Sequence, residues 1–575
     1  MKIDSIISID VLVIGAGGAA LRAALEASDS NASVIVACKG QVGKCGATVS
    51  PDAPSVAWQM ADTCVPDDST EIFAQNIVET GLGMVDPQLA NILAEEAIPR
   101  ARDLERLGMH FITEPDNPYV HYTGYSCFGN RKRAHGIRNS GYGHAGDVVK
   151  VLHEHLLNRE NVSFHENVFI VDLVVAEGRC LGAVALSPNN RAVLYSAGAI
   201  VIATGGASQV FPHAEGRTII DTTGDGYAMG YRAGAILTNM EFMQYMIHCV
   251  KPFGVETPGV FWALHPEILN RRGENILKKY LPPDVDPDDA MRLRTLHYPF
   301  STRDNSKWID IAIASETQNG MCNDDGTMSL RFTRAHHTTG DFSRPQHHPE
   351  DFSKVPLIAD IPHRVQIFAH AVNGGLLINE KAETSVSGLF SAGESATGSH
   401  GADRLGGAMI VGGQVFGARA GYYAAKHSKE NGQIADETVK AAEHILEQLN
   451  QKTNGSRDDP DRAIRKVQLL MKDKMTVIRQ AIDMLDIISE LNNIKHHIVA
   501  NVSAGAQNRL IKRKLEAENI VLTAEMMVKA ALSRKESRGG HYRADYPSID
   551  QKWEKNIFIS KGELGMNIEA HSICK

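Results

Sequence analysis

The chain has 575 residues, a formal net charge of -9, 43% hydrophobic residues and 22% charged residues. That length exceeds what one hydrophobic core usually supports, so roughly two to four domains are expected. The balance is that of a folded globular protein, it lacks the basic domain or stripe of a nucleic-acid binder, and no apolar run approaches the ~20 residues of a membrane span.

"SIDVLVIGAGGAALRAALEA" reads as strand, glycine turn and helix. Val11 to Ile14 is apolar without a break, as expected of a parallel strand buried on both faces. It does not read as a secretory leader, since it has no basic start and no cleavage site. Ala19 to Leu25 is small and apolar around the single charge of Arg22, which suits close helix packing. "ASVIVACK" is the next strand and closes a first βαβ unit. "NRKRAHGIR", Asn130 to Arg138, is short and interrupted, and reads as a solvated or anion-facing loop. "VSFHENVFIVDLVVAEGRCLGAVAL" reads as antiparallel strands turning at Gly178. Further strand–glycine elements follow at "AGAIVIATGGAS" and "GLFSAGESATG".

Between Met246 and Pro362 the chain is rich in Pro, His, Asp and Arg, the mark of an inserted domain or lid. Its "AHHTTGDFSRPQHHPED" stretch lacks a helical ligand spacing such as H-E-x-x-H, so a solvated lid is favoured over a metal site. From about Ala424 to Arg538 apolar residues recur at helical spacing. The eight cysteines include no C-x-x-C pair, which argues against a cluster or zinc site held by this chain alone. Their scatter suits a reducing compartment, and a cytoplasmic protein is expected.

"GAGGAA", Gly15 to Ala20, follows a strand and opens a helix. Gly15 makes the tight turn, Gly17 lets backbone approach a pyrophosphate, and Gly18 lies at the helix N-terminus, which favours negative charge. Cys38 stands where an acidic ribose ligand is common, so recognition there leans on backbone and Lys39.

Together with "TGGAS", "TGDGYAMGYRAGA", "HGADRLGG" and "KESRGGHYRADYP", in that order, these motifs resemble the flavoprotein subunit family of succinate dehydrogenase and fumarate reductase, which includes L-aspartate oxidase. The resemblance runs from about Asp10 to Trp553. It implies an α/β fold in which a split Rossmann-like FAD-binding domain (1–245 and 363–423) carries an inserted α+β capping domain (246–362). A helical domain (424–545) and a C-terminal tail (546–575) would follow. It implies FAD held by Gly15, Gly17, Gly18, Lys39, Thr204, Gly205, Asp225 and Glu394. It also implies hydride transfer between flavin N5 and a carboxylic acid substrate. By the resemblance Arg404 of "HGADRLGG" holds a substrate carboxylate, as a planar guanidinium is built to do. His370 matches a second substrate residue, and Arg303 of "STRDNSKW" matches the proton-donating arginine. Arginine stays protonated in proteins, so that last role needs a neighbour to relay the proton. Read without the family, Arg303 is a salt-bridge partner for Asp304 and His370 a satisfied core histidine.

The chain departs from the family pattern in places. The stretch matching its FAD-linking S-H-T is "GKCGATVS", with no histidine, so non-covalent FAD is expected. Its H-P-T substrate histidine is replaced by Met246, with His248 out of register by two. Its E-G-x-R-G-E-G-G run is missing, so one carboxylate clamp is kept and the second altered. The main expectation is a catalytic subunit working with an iron–sulfur or other electron-transfer partner, able to dock peripherally on a membrane through it. The alternatives are an amino acid oxidase like L-aspartate oxidase and a non-catalytic assembly subunit that retains FAD.

Overall fold

The computed structural model describes residues 2–49, 57–62, 64–114, 116–121, 123–137, 145–213, 221–252, 254–257, 259–332, 363–431, 435–451, 459–497 and 508–572. The His-rich stretch at 335–351 lies outside them.

A seven-stranded sheet organises the nucleotide-binding part. Across it run Val162–His165, Val34–Ala37, Ile3–Ile14, Ala192–Ile202, Arg179–Leu186 and Phe169–Ala176, with Leu389–Ser391 also paired to Ala192–Ile202. The unbroken apolar run at Val11–Val13 is fully buried because helices cover both faces of the parallel strands. Helices Gly18–Asp29 and Ala408–Asn431 cross closely. A Cβ on Gly421 would lie 2.1 Å from the Ala23 carbonyl oxygen, so only glycine permits the approach. Arg22, the one charge on the first helix's packed stretch, is buried between them, donating to Gln414 at 3.1 Å and pairing with Glu26 at 3.2 Å.

Two expectations are corrected. Val162–His165 is not antiparallel; it lies parallel to Val34–Ala37. A four-residue strand carries no directional signal, and its direction is set by the helix Gly146–Leu156 that returns the chain across the sheet. The antiparallel pair is Phe169–Ala176 with Arg179–Leu186, turning through Glu177 and Gly178, both at positive φ. The C-terminal segment is not a tail either. Asn556–Gly562 and Gly565–His571 form a hairpin that joins Leu237–Thr238, and Ile557 and Ile559 are buried by it.

The inserted region builds an antiparallel five-stranded sheet in the order Val255–Glu256, Met243–Lys251, His363–Val372, Met328–Arg331 and Glu267–Leu269. Phe261, Trp262, Ile309 and Ile313 fill its core. Helices Pro460–Lys474, Ala481–His497 and Asn508–Ser533 share the large core beneath it. Ala435–Gln451 packs elsewhere, laying Ala442, Leu446 and Leu449 on the outer antiparallel strands. Buried ion pairs from Arg534 to Glu241 and Glu536 tie the "ESRGG" turn to the loop before the capping sheet. Arg543 donates to three carbonyls there, which gives that motif a structural role.

Candidate active site

A cleft of about 330 Å³ lies at the C-terminal ends of the parallel strands, lined by Ile14 and Ala37, which end theirs, and by Ala203 and Ala392, which directly follow Ile202 and Ser391. Ligands of open α/β sheets bind at this edge. At one end, Gly15 has φ +121°, and a Cβ there would sit 2.1 Å from the Ala203 carbonyl oxygen. Gly17 caps the helix Gly18–Asp29 without a side-chain hydrogen bond, and the first turn carries no acid. The Gly18 N–H makes only a long bond to the Thr48 hydroxyl at 3.4 Å, so the positive dipole end and the remaining first-turn N–H groups face the cleft for an anion. Gln414 holds this turn by donating to the Gly18 carbonyl at 2.7 Å.

Lys39 and Asp225 also line the cleft, as an ion pair with each other at 2.8 Å. Lys39 is shared with Glu516 at 3.2 Å and the Thr223 hydroxyl at 2.6 Å. Burial works against its charge, but Asp225 and Glu516 outweigh that and hold it above the usual lysine range. Asp225 accepts further from Asn519 at 2.7 Å. Thr204 and Gly205 form the opposite rim, where Thr204 meets Ser395 Oγ at 3.3 Å and Gly205 has φ +79°.

Glu394 is placed by the turn after Leu389–Ser391. Its Oε1 accepts from the Val372 amide at 3.0 Å. A Cβ on Gly206 would fall 2.0 Å from that oxygen, so the carboxyl and the glycine strand-end fit only each other. Burial pushes Glu394 up to about 7, so at neutral pH it is poised between donor and acceptor.

Arg404 lies further along the cleft and is 7% exposed. Nη2 donates to Gln244 Oε1 at 2.7 Å and Nη1 to the Leu405 carbonyl at 3.1 Å. Its buried Nε makes no hydrogen bond among the described residues. Burial lowers its affinity for the proton, opposed by the Glu394 carboxyl, but a guanidinium with a value of about 10 stays charged at neutral pH. The neighbouring acid, Asp403, is already taken, accepting from Ser301 at 2.7 Å and from Arg303 at 2.9 Å. A buried cation with no carboxylate hydrogen-bonded to it is costly. His370, on the strand His363–Val372, lines the same end of the cleft, with Met246, Tyr298 and Cys127.

Arg303 does not line the cleft. It stacks on Phe128 at 4.3 Å and donates to Asp403 and to the Thr80 carbonyl. Its partner is thus Asp403 and not Asp304, which faces His297 at 3.2 Å. Asp403 is the only link between Arg303 and the Arg404 loop that these hydrogen bonds provide. His248 is fully buried against Phe368 and does not line the cleft, whereas Met246 does.

Sequence reasoning singled out neither Gln244 nor Gly206. Gln244 lies in "EFMQYM", and a polar residue inside the apolar run from Phe242 to Ile247 was a usable signal. Gly206, the second glycine of "TGG", had no signal beyond its neighbour, because the residue it accommodates, Glu394, is 188 positions further on (394 less 206).

The cleft fits FAD: a glycine turn without room for a Cβ, an open helix N-terminus, and a buried carboxyl beyond them. These features define a FAD-dependent oxidoreductase. Residues 10–410 match the FAD binding domain family and residues 464–573 the fumarate reductase flavoprotein C-terminal family. An uncharacterized FAD-dependent oxidoreductase of Methanocaldococcus jannaschii is 32% identical over 560 residues, covering 96% of each chain. A chain of the fumarate reductase (CoM/CoB) of Methanothermobacter marburgensis is 29% identical over 574 residues, 96% of this chain and 97% of that one. The fold is that of the flavoprotein chain of E. coli quinol fumarate reductase, with TM-score 0.79 and 23% identity over 100% of this chain and 97% of that chain. The chain belongs to the FAD-dependent oxidoreductases of the fumarate reductase and succinate dehydrogenase flavoprotein family. No helix among the described residues is long and apolar enough to cross a membrane.

Proposed function

We propose that this chain is the catalytic flavoprotein subunit of an electron-transfer complex and acts on a carboxylic acid held by Arg404. The observation that carries this is the buried guanidinium in the cleft, with an unbonded Nε and no acid hydrogen-bonded to it among the described residues. Bound FAD supplies hydride acceptance or donation at its N5. Gly15, Gly17 and Gly18 hold its phosphates, and Glu394 its ribityl chain. Lys39 and Asp225 act on it as a pair, each fixing the other. Thr204 and Gly205 close the opposite rim.

On the substrate side, Arg404 binds one carboxylate through Nε and the free hydrogen of Nη2, while Gln244 and the Leu405 carbonyl, accepting from Nη2 and Nη1, fix the plane of the guanidinium. His370 meets the same substrate from the capping sheet. Arg303 acts through Asp403, keeping that carboxylate off Arg404 so that the clamp stays open to substrate. Met246 lines the cleft at the position where the family pattern has a substrate histidine, which supports an acid with one strongly held carboxylate. FAD is non-covalent in this reading. A cytoplasmic location and an iron–sulfur or other electron-carrying partner complete it, since the chain's own cysteines form no C-x-x-C pair.

The test is a flavin screen. Oxidised protein is mixed anaerobically with saturated acids, and reduced protein with enoates, while flavin absorbance is followed. At least one acid of the panel is expected to change the flavin's redox state within seconds. A flavin inert to the whole panel rejects the proposal, and reoxidation by oxygen alone during turnover of an amino acid favours the oxidase alternative.

A further inference from the structure

Away from the flavin cleft, Asp62, His121 and His135 bring their ligand atoms within 4.8 Å of one another. Asp62 follows the strand Ala57–Gln59, His121 ends the strand Asn117–His121, and His135 is central in Ala134–Gly136. Asp62 and His135 are buried.

The hydrogen bonds around the two rings decide how they can be used. His135 Nδ1 lies 2.9 Å from the Arg133 carbonyl, which only accepts, so Nδ1 carries a proton. In a neutral ring the other nitrogen, Nε2, then presents a lone pair, and it faces Asp62 Oδ1 at 3.2 Å. A lone pair against a carboxylate is repulsive unless a proton or a metal cation stands between them. His121 repeats the arrangement. Its Nε2 lies 3.3 Å from Glu105 Oε1, and its buried Nδ1 has no hydrogen bond among the described residues. Asp62 Oδ2 is also buried and accepts no hydrogen bond among them, its one ion-pair partner there being the Arg102 guanidinium at 3.9 Å. One nitrogen held by a carbonyl or carboxylate, the other left as a lone pair, is how proteins orient metal-binding imidazoles. Cys64 is tied to Asp62 by its backbone N–H, which donates to Asp62 Oδ1 at 2.8 Å, but its thiol lies outside the set of atoms within 4.8 Å of one another.

We propose that Asp62, His121 and His135 bind a divalent zinc-type cation, with the Cys64 thiol, two residues from Asp62, turning in as the fourth ligand on binding. Two imidazoles, a carboxylate and a thiolate suit zinc, and the two anionic ligands balance its charge. On binding, the Cys64 thiol loses its proton to solvent and the imidazoles stay neutral. The site would be structural. It staples the end of one strand to the partner strand Ala134–Gly136, and that sheet forms a wall of the flavin cleft. Ala57 lines the cleft, and a Cβ on Gly407, in the Arg404 loop, would lie 2.2 Å from its carbonyl oxygen.

The experiment uses the full FAD-loaded chain, stripped with a chelator and titrated with zinc by calorimetry and elemental analysis. One zinc per chain is expected. D62N and H121Q should each weaken binding by about tenfold or more, and C64S by a comparable factor, with flavin absorbance retained. H444Q, at an exposed helical position, should leave binding unchanged. Zinc should also slow alkylation of Cys64 in the unaltered chain, a readout that needs no variant. A stripped chain that takes up no zinc, or zinc bound equally by D62N and H121Q, overturns the site. Cys64 alkylated at the same rate with and without zinc removes it from the ligand set.

Discussion

Arg404 illustrates how far a single residue can be read. The sequence placed a permanent charge among glycines, and the structure adds what spacing could not: the adjacent acid, Asp403, is held by Arg303 and Ser301. Arg303 was legible as a motif member, but its partner was not, because Asp403 is 100 residues away in sequence. His400, one turn of loop before Arg404, gives a pH test. Burial, reinforced by the Arg404 charge, lowers its value from 6.5 to about 3, so the folded chain keeps it neutral. Its contribution to stability is therefore present above pH 6.5 and lost as pH falls toward 3, by up to about 1.4 kcal/mol per pH unit. The stability advantage of the unaltered chain over H400Q, read by thermal melting, should shrink from about pH 7 to about pH 4. A gap that stays constant across that range would mean that His400 is not held neutral.

Among the elements, the strand–glycine–helix units were the most legible, because parallel strands buried on both faces need unbroken apolar runs and phosphate turns need glycine. Short pieces were illegible in direction: Val162–His165 has the same pattern whichever way it runs. The C-terminal hairpin was missed because its burial pattern alternates on one strand only, and its pairing partner is Leu237–Thr238. The Arg404 loop enters its helix through Gly407, at φ +82° and close against Ala57. G407A should cost about 1–2 kcal/mol from the left-handed backbone alone, before the clash. Weaker FAD retention on gel filtration and a lower melting temperature are expected; a variant with native values of both would show that the loop has slack.

For the whole molecule, the split nucleotide-binding domain and inserted cap followed from motif order, whereas the substrate end did not. The cleft there is assembled from the strand bearing Gln244 and Met246, the strand bearing His370, and the loop bearing Arg404, three segments whose adjacency only the fold provides. The absence of a histidine in "GKCGATVS" carries a prediction at this scale. Acid precipitation should release the FAD into the supernatant and leave a colourless pellet; a yellow pellet would mean a covalent link.

The central claim is that a substrate carboxylate sits on Arg404 beside the flavin. It is tested most directly by anaerobic stopped-flow reoxidation of the reduced protein by the best enoate of the panel, compared with R404Q at equal FAD content. Losing a buried charge-assisted pair of about 1.5–3 kcal/mol should lower the apparent second-order rate by roughly ten- to a hundredfold. Equal rates in the two proteins would contradict the account.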